Sequence, residues 1–179
     1  MRRPTILLSG VLLLTFPLAG RVLAEDISCP KPVNSDACDG TDGPDTLYGR
    51  DVYDYMQGKG DDDQLFGAGG DDVLFGDGGG FTPNGNDRLE GGEGDDTLVG
   101  DGGSDLLLGG PGADTINAIE PSDLSGQDTV WGGAGGDTIF ANDGRRDKIN
   151  CGPGRDRVHF DRGKDILVNC EKMIPYGHK

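Results

Sequence analysis

Aspartate recurs through this chain at Asp45, Asp54, Asp63, Asp72, Asp87, Asp96, Asp105, Asp114, Asp128, Asp137, Asp147, Asp156 and Asp165, and nine of the twelve intervals are nine residues. Two residues before each stands glycine in ten of the thirteen cases; Val52, Asp61 and Arg145 are the departures. Two residues after each comes an apolar side chain, without exception: Leu47, Met56, Leu65, Leu74, Leu89, Leu98, Leu107, Ile116, Val130, Ile139, Ile149, Val158 and Leu167. A carboxylate held in a glycine-rich turn, beside open backbone carbonyls, offers hard oxygen ligands. Those suit Ca²⁺ better than zinc or copper. Aspartate as a mere turn residue explains isolated cases, but not thirteen in phase with an apolar partner.

The elements that must position these carboxylates follow from the same period. Glycine lets the backbone turn tightly and visit positive φ. The triplet around each apolar residue is rich in β-branched, aromatic and aliphatic side chains and reads as a short strand. Alternation then points the apolar residue inward and its two neighbours outward. One nonapeptide is a turn plus a strand, and two make a coil. With one apolar residue in nine, a unit cannot build a core alone and must acquire one from the coils above and below. No amphipathic helical period is present after the first 24 residues.

The unit is G-G-x-G-x-D-x-U-x, with U apolar, and it is closest to ideal in "GGEGDDTLV", "GGPGADTIN" and "GGAGGDTIF". On these residues the chain resembles the haemolysin-type (RTX) calcium-binding nonapeptide repeat family over about residues 40–168. The resemblance implies an all-β, right-handed parallel β-roll or β-solenoid. Thirteen units correspond to about six coils and a stack about 30 Å long at the usual strand spacing. It also implies Ca²⁺ ions between turns stacked on the same edge, two repeats apart, held by aspartate side chains and glycine-loop carbonyls.

Alternate repeats fall on opposite edges. The first edge carries Asp54, Asp72, Asp96, Asp114, Asp137 and Asp156; the second carries Asp45, Asp63, Asp87, Asp105, Asp128, Asp147 and Asp165. All three irregular spacings, before Asp87, Asp128 and Asp147, lie on the second edge. The first edge is therefore expected to keep an uninterrupted column with the best metal sites: Asp72 with Asp96, Asp96 with Asp114, and Asp114 with Asp137, together with Gly70, Gly94, Gly112 and Gly135. Asp63, Asp87, Asp105 and Asp128 on the second edge are expected to bind fewer or weaker ions. Asp95, next to Asp96, reads as surface charge.

Composition sets the boundaries. The 179 residues suffice for one domain. Only 34% is hydrophobic, 34 residues are glycine, and 32 Asp and Glu against 16 Lys and Arg give a net charge of −16. Such a chain is disordered unless repeats stack or cations neutralise it. The acidity also argues against nucleic acid and anionic membranes as partners. Residues 1–24 differ: Arg2 and Arg3, the apolar "ILLSGVLLLTFPLAG", then Val22 and Ala24 have the layout of a secretory signal peptide cleaved after Ala24. An uncleaved anchor is the alternative, though the run is short for a span. Cleavage removes Arg2, Arg3 and Arg21 and leaves a chain of charge −19 beginning at Glu25, with no membrane insertion expected.

Four cysteines in an exported chain read as two disulfides of three possible connectivities. Because they flank the repeats, the local pairs Cys29–Cys38 and Cys151–Cys170 are favoured. Residues 25–39 then form an N-terminal cap, 40–168 the repeats and 169–179 a tail. Residues 145–168 make a basic last coil, in which Arg145, Arg146, Lys148, Arg155 and Arg157 and a disulfide replace ions; a basic patch for an anionic surface polymer is the alternative reading.

No catalytic constellation stands out, and His159 and His178 have no evident nucleophile nearby. The expectation is a secreted, monomeric, non-enzymatic calcium-binding protein. Its rivals are a carbohydrate-binding accessory module, similar to the repeat modules attached to some alginate-modifying enzymes, or an ice-binding or adhesive surface. Outward Thr97, Thr115 and Thr138 on one face form a ladder suited to ordered surfaces such as ice, though β-propensity alone accounts for it, and Tyr48, Phe66, Leu108 and Trp131 on the other are where a surface polysaccharide or protein would dock. Toxin-type relatives carry an uncleaved C-terminal export signal, so an N-terminal leader departs from that route.

Overall fold

The computed structural model describes residues 25–29, 38–78, 84–121 and 126–176. Residues 1–24, the expected signal peptide, lie outside them, as do His178 and parts of both long insertions. Sixteen short strands alternate between two sheets, and no described residue is helical. One sheet holds β1 (Asp26–Ser28), β3 (Thr46–Tyr48), β5 (Gln64–Gly69), β7 (Arg88–Glu93), β9 (Leu106–Pro111), β11 (Thr129–Ala134), β13 (Lys148–Asn150) and β15 (Ile166–Val168). The other holds β2 (Cys38–Asp39), β4 (Tyr55–Lys59), β6 (Val73–Asp77), β8 (Thr97–Val99), β10 (Thr115–Asn117), β12 (Thr138–Ala141), β14 (Arg157–Asp161) and β16 (Lys172–Tyr176). Each strand pairs in parallel with the strand one coil away, never with its neighbour in sequence. The result is a parallel β-solenoid of about seven turns.

Register follows the apolar residue. Leu47, Leu65, Leu89, Leu107, Val130, Ile149 and Leu167 form one file. Met56, Leu74, Leu98, Ile116, Ile139 and Val158 form the other. A one-residue slip would turn a whole strand inside out, so burial fixes the pairing. Twelve of the thirteen are sealed from solvent, and only Leu167, in the outermost strand of its sheet, is partly open.

The stack exceeds the six coils of the thirteen repeats because flanking segments join it. Asp26–Ser28 pairs with Thr46–Tyr48, Cys38–Asp39 with Met56–Gln57, and Lys172–Tyr176 with Arg157–Asp161, so the segment after residue 168 is largely a strand. Disulfides Cys29–Cys38 and Cys151–Cys170, each with Cα atoms 5.1 Å apart, tie the two ends as the flanking positions predict.

The outward positions also stack. Thr97, Thr115 and Thr138 are in register on one sheet. On the other, Tyr48, Phe66, Glu90, Leu108 and Trp131 share a column, with Tyr48 and Phe66 stacked at 5.6 Å. Glu90 divides that column, pairing with Arg88, which also lies over Phe66.

Candidate metal centre

Each repeat aspartate sits at the end of its turn, just before the strand that buries its apolar partner. The strand holds the carboxylate against the stack: twelve of the thirteen aspartates are at most 3% exposed, with Asp165 in the last coil the exception. Buried carboxylates need partners, and nine of these twelve find only half of what they need. On the first edge, Oδ1 of Asp72 accepts the backbone N–H of Asp54 at 2.7 Å, Asp96 that of Asp72 at 2.8 Å, Asp114 that of Asp96 at 2.9 Å, Asp137 that of Asp114 at 3.0 Å, and Asp156 that of Asp137 at 3.0 Å. Oδ2 of Asp72, Asp96, Asp114, Asp137 and Asp156 is buried with no hydrogen-bond partner.

The glycines explain where that second oxygen lies. It folds back over the first glycine of its own turn: a Cβ on Gly91, Gly109 or Gly132 would run into Oδ2 of Asp96, Asp114 or Asp137. The third glycine brings carbonyls together. Gly94, Gly112 and Gly135 have φ of 131°, 154° and 152°, and a Cβ on each would collide with the carbonyl oxygen of Gly70, Gly94 and Gly112 respectively. Carbonyls and unpaired carboxylate oxygens therefore crowd the same turns, and that donor set is what a Ca²⁺ ion takes. Burial above all pushes Asp72 and Asp114 up to about 7 and raises Asp96 and Asp137, with the neighbouring carboxylates adding to each.

The second edge corrects the expectation of an interrupted column. The backbone N–H groups of Asp45, Asp63, Asp87, Asp105, Asp128 and Asp147 donate to Oδ1 of Asp63, Asp87, Asp105, Asp128, Asp147 and Asp165 in turn, over 2.7–3.1 Å. The column survives the insertions because strands β7 and β11, each following one, re-enter in register, carrying Asp87 and Asp128 with them. Burial raises its carboxylates as well: Asp63 to about 8, Asp87 to about 7, Asp105 to about 9 and Asp128 to about 8.

Sequence reasoning missed three acids that crowd this edge. Asp77 accepts N–H bonds from Gly85 and Gly102, Glu120 from Gly103, and Asp143 from Glu120. The signal was available: Asp77 and Asp101 stand three residues after Leu74 and Leu98, where first-edge turns carry Gly92, Gly110 and Gly133.

One further expectation changes. Asp95 is exposed, but it belongs to an outer column: its N–H donates to Asp71 Oδ1 and its Oδ1 accepts from Ala113. At the N-terminal end the Arg50 guanidinium pairs with the Asp54 carboxylate and donates to the Tyr53 carbonyl oxygen. Thr41 likewise donates twice to Asp45 Oδ2. At the basic C-terminal end, Asp147 and Asp156 keep an unpaired buried Oδ2. Asp156 donates its N–H to Glu171, which takes the place of a further aspartate.

A family model described as the RTX calcium-binding nonapeptide repeat (4 copies) matches residues 54–80, 84–116 and 123–146. No curated protein sequence matches the chain significantly.

Proposed function

Over residues 54–146 the chain belongs to the RTX calcium-binding nonapeptide repeat family, and from that membership we propose a secreted, non-enzymatic protein whose β-roll folds as Ca²⁺ ions enter its glycine–aspartate turns. The repeats of this family bind calcium, and the β-roll is a calcium-binding structural module. One observation carries the rest: a file of buried Oδ2 atoms on Asp72, Asp96, Asp114 and Asp137 without partners, beside crowded carbonyls. The structure fits the ion on the chemistry of its own donors. Asp72, Asp96, Asp114 and Asp137, with Gly70, Gly94, Gly112 and Gly135, would hold it on the first edge.

Bound calcium supplies the positive charge that a chain of net charge −16 lacks. The residues do the remaining work. Oδ1 of each aspartate fixes the coil before it, the strand apolar residue fixes the sheet, and Oδ2 stays available. Secretion through a leader cleaved after Ala24 accords with two closed disulfides, which persist in oxidising compartments. Among the described residues no cysteine is free, and His159 stacks on Phe140.

The test is a calcium titration of the chain from Glu25 onward, followed by circular dichroism and small-angle scattering. Compaction and gain of β signal at roughly 10⁻⁴–10⁻³ M calcium are expected for an extracellular module. An unchanged spectrum at millimolar calcium would sink the proposal. Exposed Trp131 and the Tyr48–Phe66 stack favour a second reading, a carbohydrate-binding accessory module. A glycan array with and without calcium separates it from a purely structural role.

A further inference from the structure

The insertion before Asp128 replaces a glycine-rich turn with "AIEPSDLSGQ", residues 118–127. It nevertheless delivers a carboxylate into the second edge. Asp105, Glu120 and Asp128 each offer an oxygen, and these lie within 4.8 Å of one another. All three are buried, with Glu120 only 6% exposed. Glu120 Oε1 and Asp105 Oδ2 have no hydrogen-bond partner.

We propose that Glu120, supplied by the insertion and not by the nonapeptide pattern, joins the repeat aspartates Asp105 and Asp128 in a second-edge site for a hard divalent ion of the calcium type. The glutamate is held for the purpose. Its backbone N–H donates to Asp143 Oδ2 at 3.0 Å, and its Oε2 accepts the Gly103 N–H at 3.3 Å, which leaves Oε1 to face inward. Gly126 leaves the space: a Cβ there would stand 2.5 Å from Glu120 Oε1 and collide with the Gly103 carbonyl oxygen. A carbonyl thus approaches the same spot as the carboxylates.

The charge balance points the same way. The acids Asp77 and Asp143 face Glu120, and Arg145 is the positive charge that offsets them. One guanidinium does not neutralise three clustered carboxylates, and Glu120 Oε1 is still unpaired. A calcium-type ion accepts 6–8 oxygens in flexible geometry, so carboxylates and a carbonyl meet its demand. Zinc would call for nitrogen or sulfur ligands that the three residues do not supply. The inference shares its choice of ion with the calcium-module reading but depends on Glu120, a residue outside the repeat motif.

Crystals of the calcium-loaded chain, with terbium exchanged for calcium, give an anomalous map that decides the matter. A peak between Asp105, Glu120 and Asp128 is the expected result. Peaks in the first-edge turns with none at these three residues would overturn the site and leave the calcium module standing. Peaks on neither edge would overturn both. In solution, Glu120→Gln should lower the number of bound calcium ions by one in equilibrium dialysis, with the remaining affinities unchanged. Asp96→Asn, on the opposite edge, is the reference for loss of a repeat site. An unchanged ion count in Glu120→Gln would also refute the proposal. Should that variant fail to fold, the anomalous map of the unaltered chain decides alone.

Discussion

Asp114 Oδ1 accepts the backbone N–H of Asp96 at 2.9 Å, while Asp114 Oδ2, on the same carboxyl carbon, has no partner. The two oxygens of one carboxylate have separate tasks. The first binds coil to coil with or without an ion. The second is costly to bury unless a cation arrives. Calcium dependence is therefore written into half of each carboxylate, and substitutions can address the halves independently.

Asp96→Asn and Asp96→Ala should differ for this reason. Asparagine keeps an oxygen for the Asp72 N–H but loses the charge and Oδ2. It is expected to weaken calcium binding about tenfold or more, or at least ~1.4 kcal/mol. Alanine also orphans the Asp72 N–H, which adds ~1–3 kcal/mol of destabilisation. Calorimetric titration and denaturant unfolding in saturating calcium measure the two effects. Equal unfolding midpoints for both variants would contradict the division of labour.

Glycine substitutions sort by what surrounds them. Gly94 has φ of 131° and its Cβ would strike the Gly70 carbonyl; Gly163 has φ of 82° with open space around it. Gly163→Ala should cost about 1 kcal/mol from backbone strain alone. Gly94→Ala must add displacement of a stacked coil, so a loss of roughly 3 kcal/mol or more is expected. Thermal unfolding of both variants in excess calcium gives the comparison.

The pH dependence has opposite signs with and without ions. Asp72, Asp63 and Asp105 are pushed up to about 7, 8 and 9 when folded, chiefly by burial, against about 4 in an unfolded chain. Between about pH 4 and 9 the ion-free fold therefore binds more protons than the unfolded chain. Its stability is greatest below pH 4 and is lost as pH rises through 7–9. Calcium competes for the same oxygens, so binding releases protons and weakens on acidification. Circular dichroism in chelator should show β structure growing as pH falls, and an indicator dye should report proton release on adding calcium. Ion-free β structure that grows with rising pH would contradict the assignment.

The proposed cleavage after Ala24 would have a structural consequence at Asp45. The Glu25 nitrogen donates to Asp45 Oδ1 at 2.8 Å. In a chain beginning at Glu25 that nitrogen is an ammonium, so the hydrogen bond becomes charge-assisted and worth roughly 1.5–3 kcal/mol. Acetylating Glu25 should lower the unfolding temperature of the Asp45 chain and leave an Asp45→Asn chain nearly unaffected. Equal sensitivity in both would show that the pairing contributes nothing.

Much of this was legible in the nonapeptide. Leu98 and Asp96, two residues apart, specify strand, inward face and turn, and the same arithmetic orders both sheets. What lay outside it came from groups that only coil stacking brings together. Glu120 lies eight residues from Asp128 along the chain, yet its carboxylate meets those of both Asp128 and Asp105. Arg50 pairs with Asp54 four residues on, a contact that no position of the repeat motif encodes. The length of the stack was underread because Lys172–Tyr176 carries no turn glycine or repeat aspartate, and its strand exists through pairing with β14 alone.

From Asp63 to Asp156 each repeat aspartate accepts from the coil before it and donates to the coil after it, so the array is a one-dimensional lattice with unlike faces. One face offers oxygens and the other N–H groups, and the two are complementary. Copies of such a unit would join head to tail without closing, which is the geometry of fibres. At one face Glu25, Thr41 and Arg50 occupy the oxygens of Asp45 and Asp54; at the other Glu171 and Asp165 take up the N–H groups of Asp156 and Asp147. Among the described residues, these five take up polar groups that the two columns would otherwise leave unpaired at their ends.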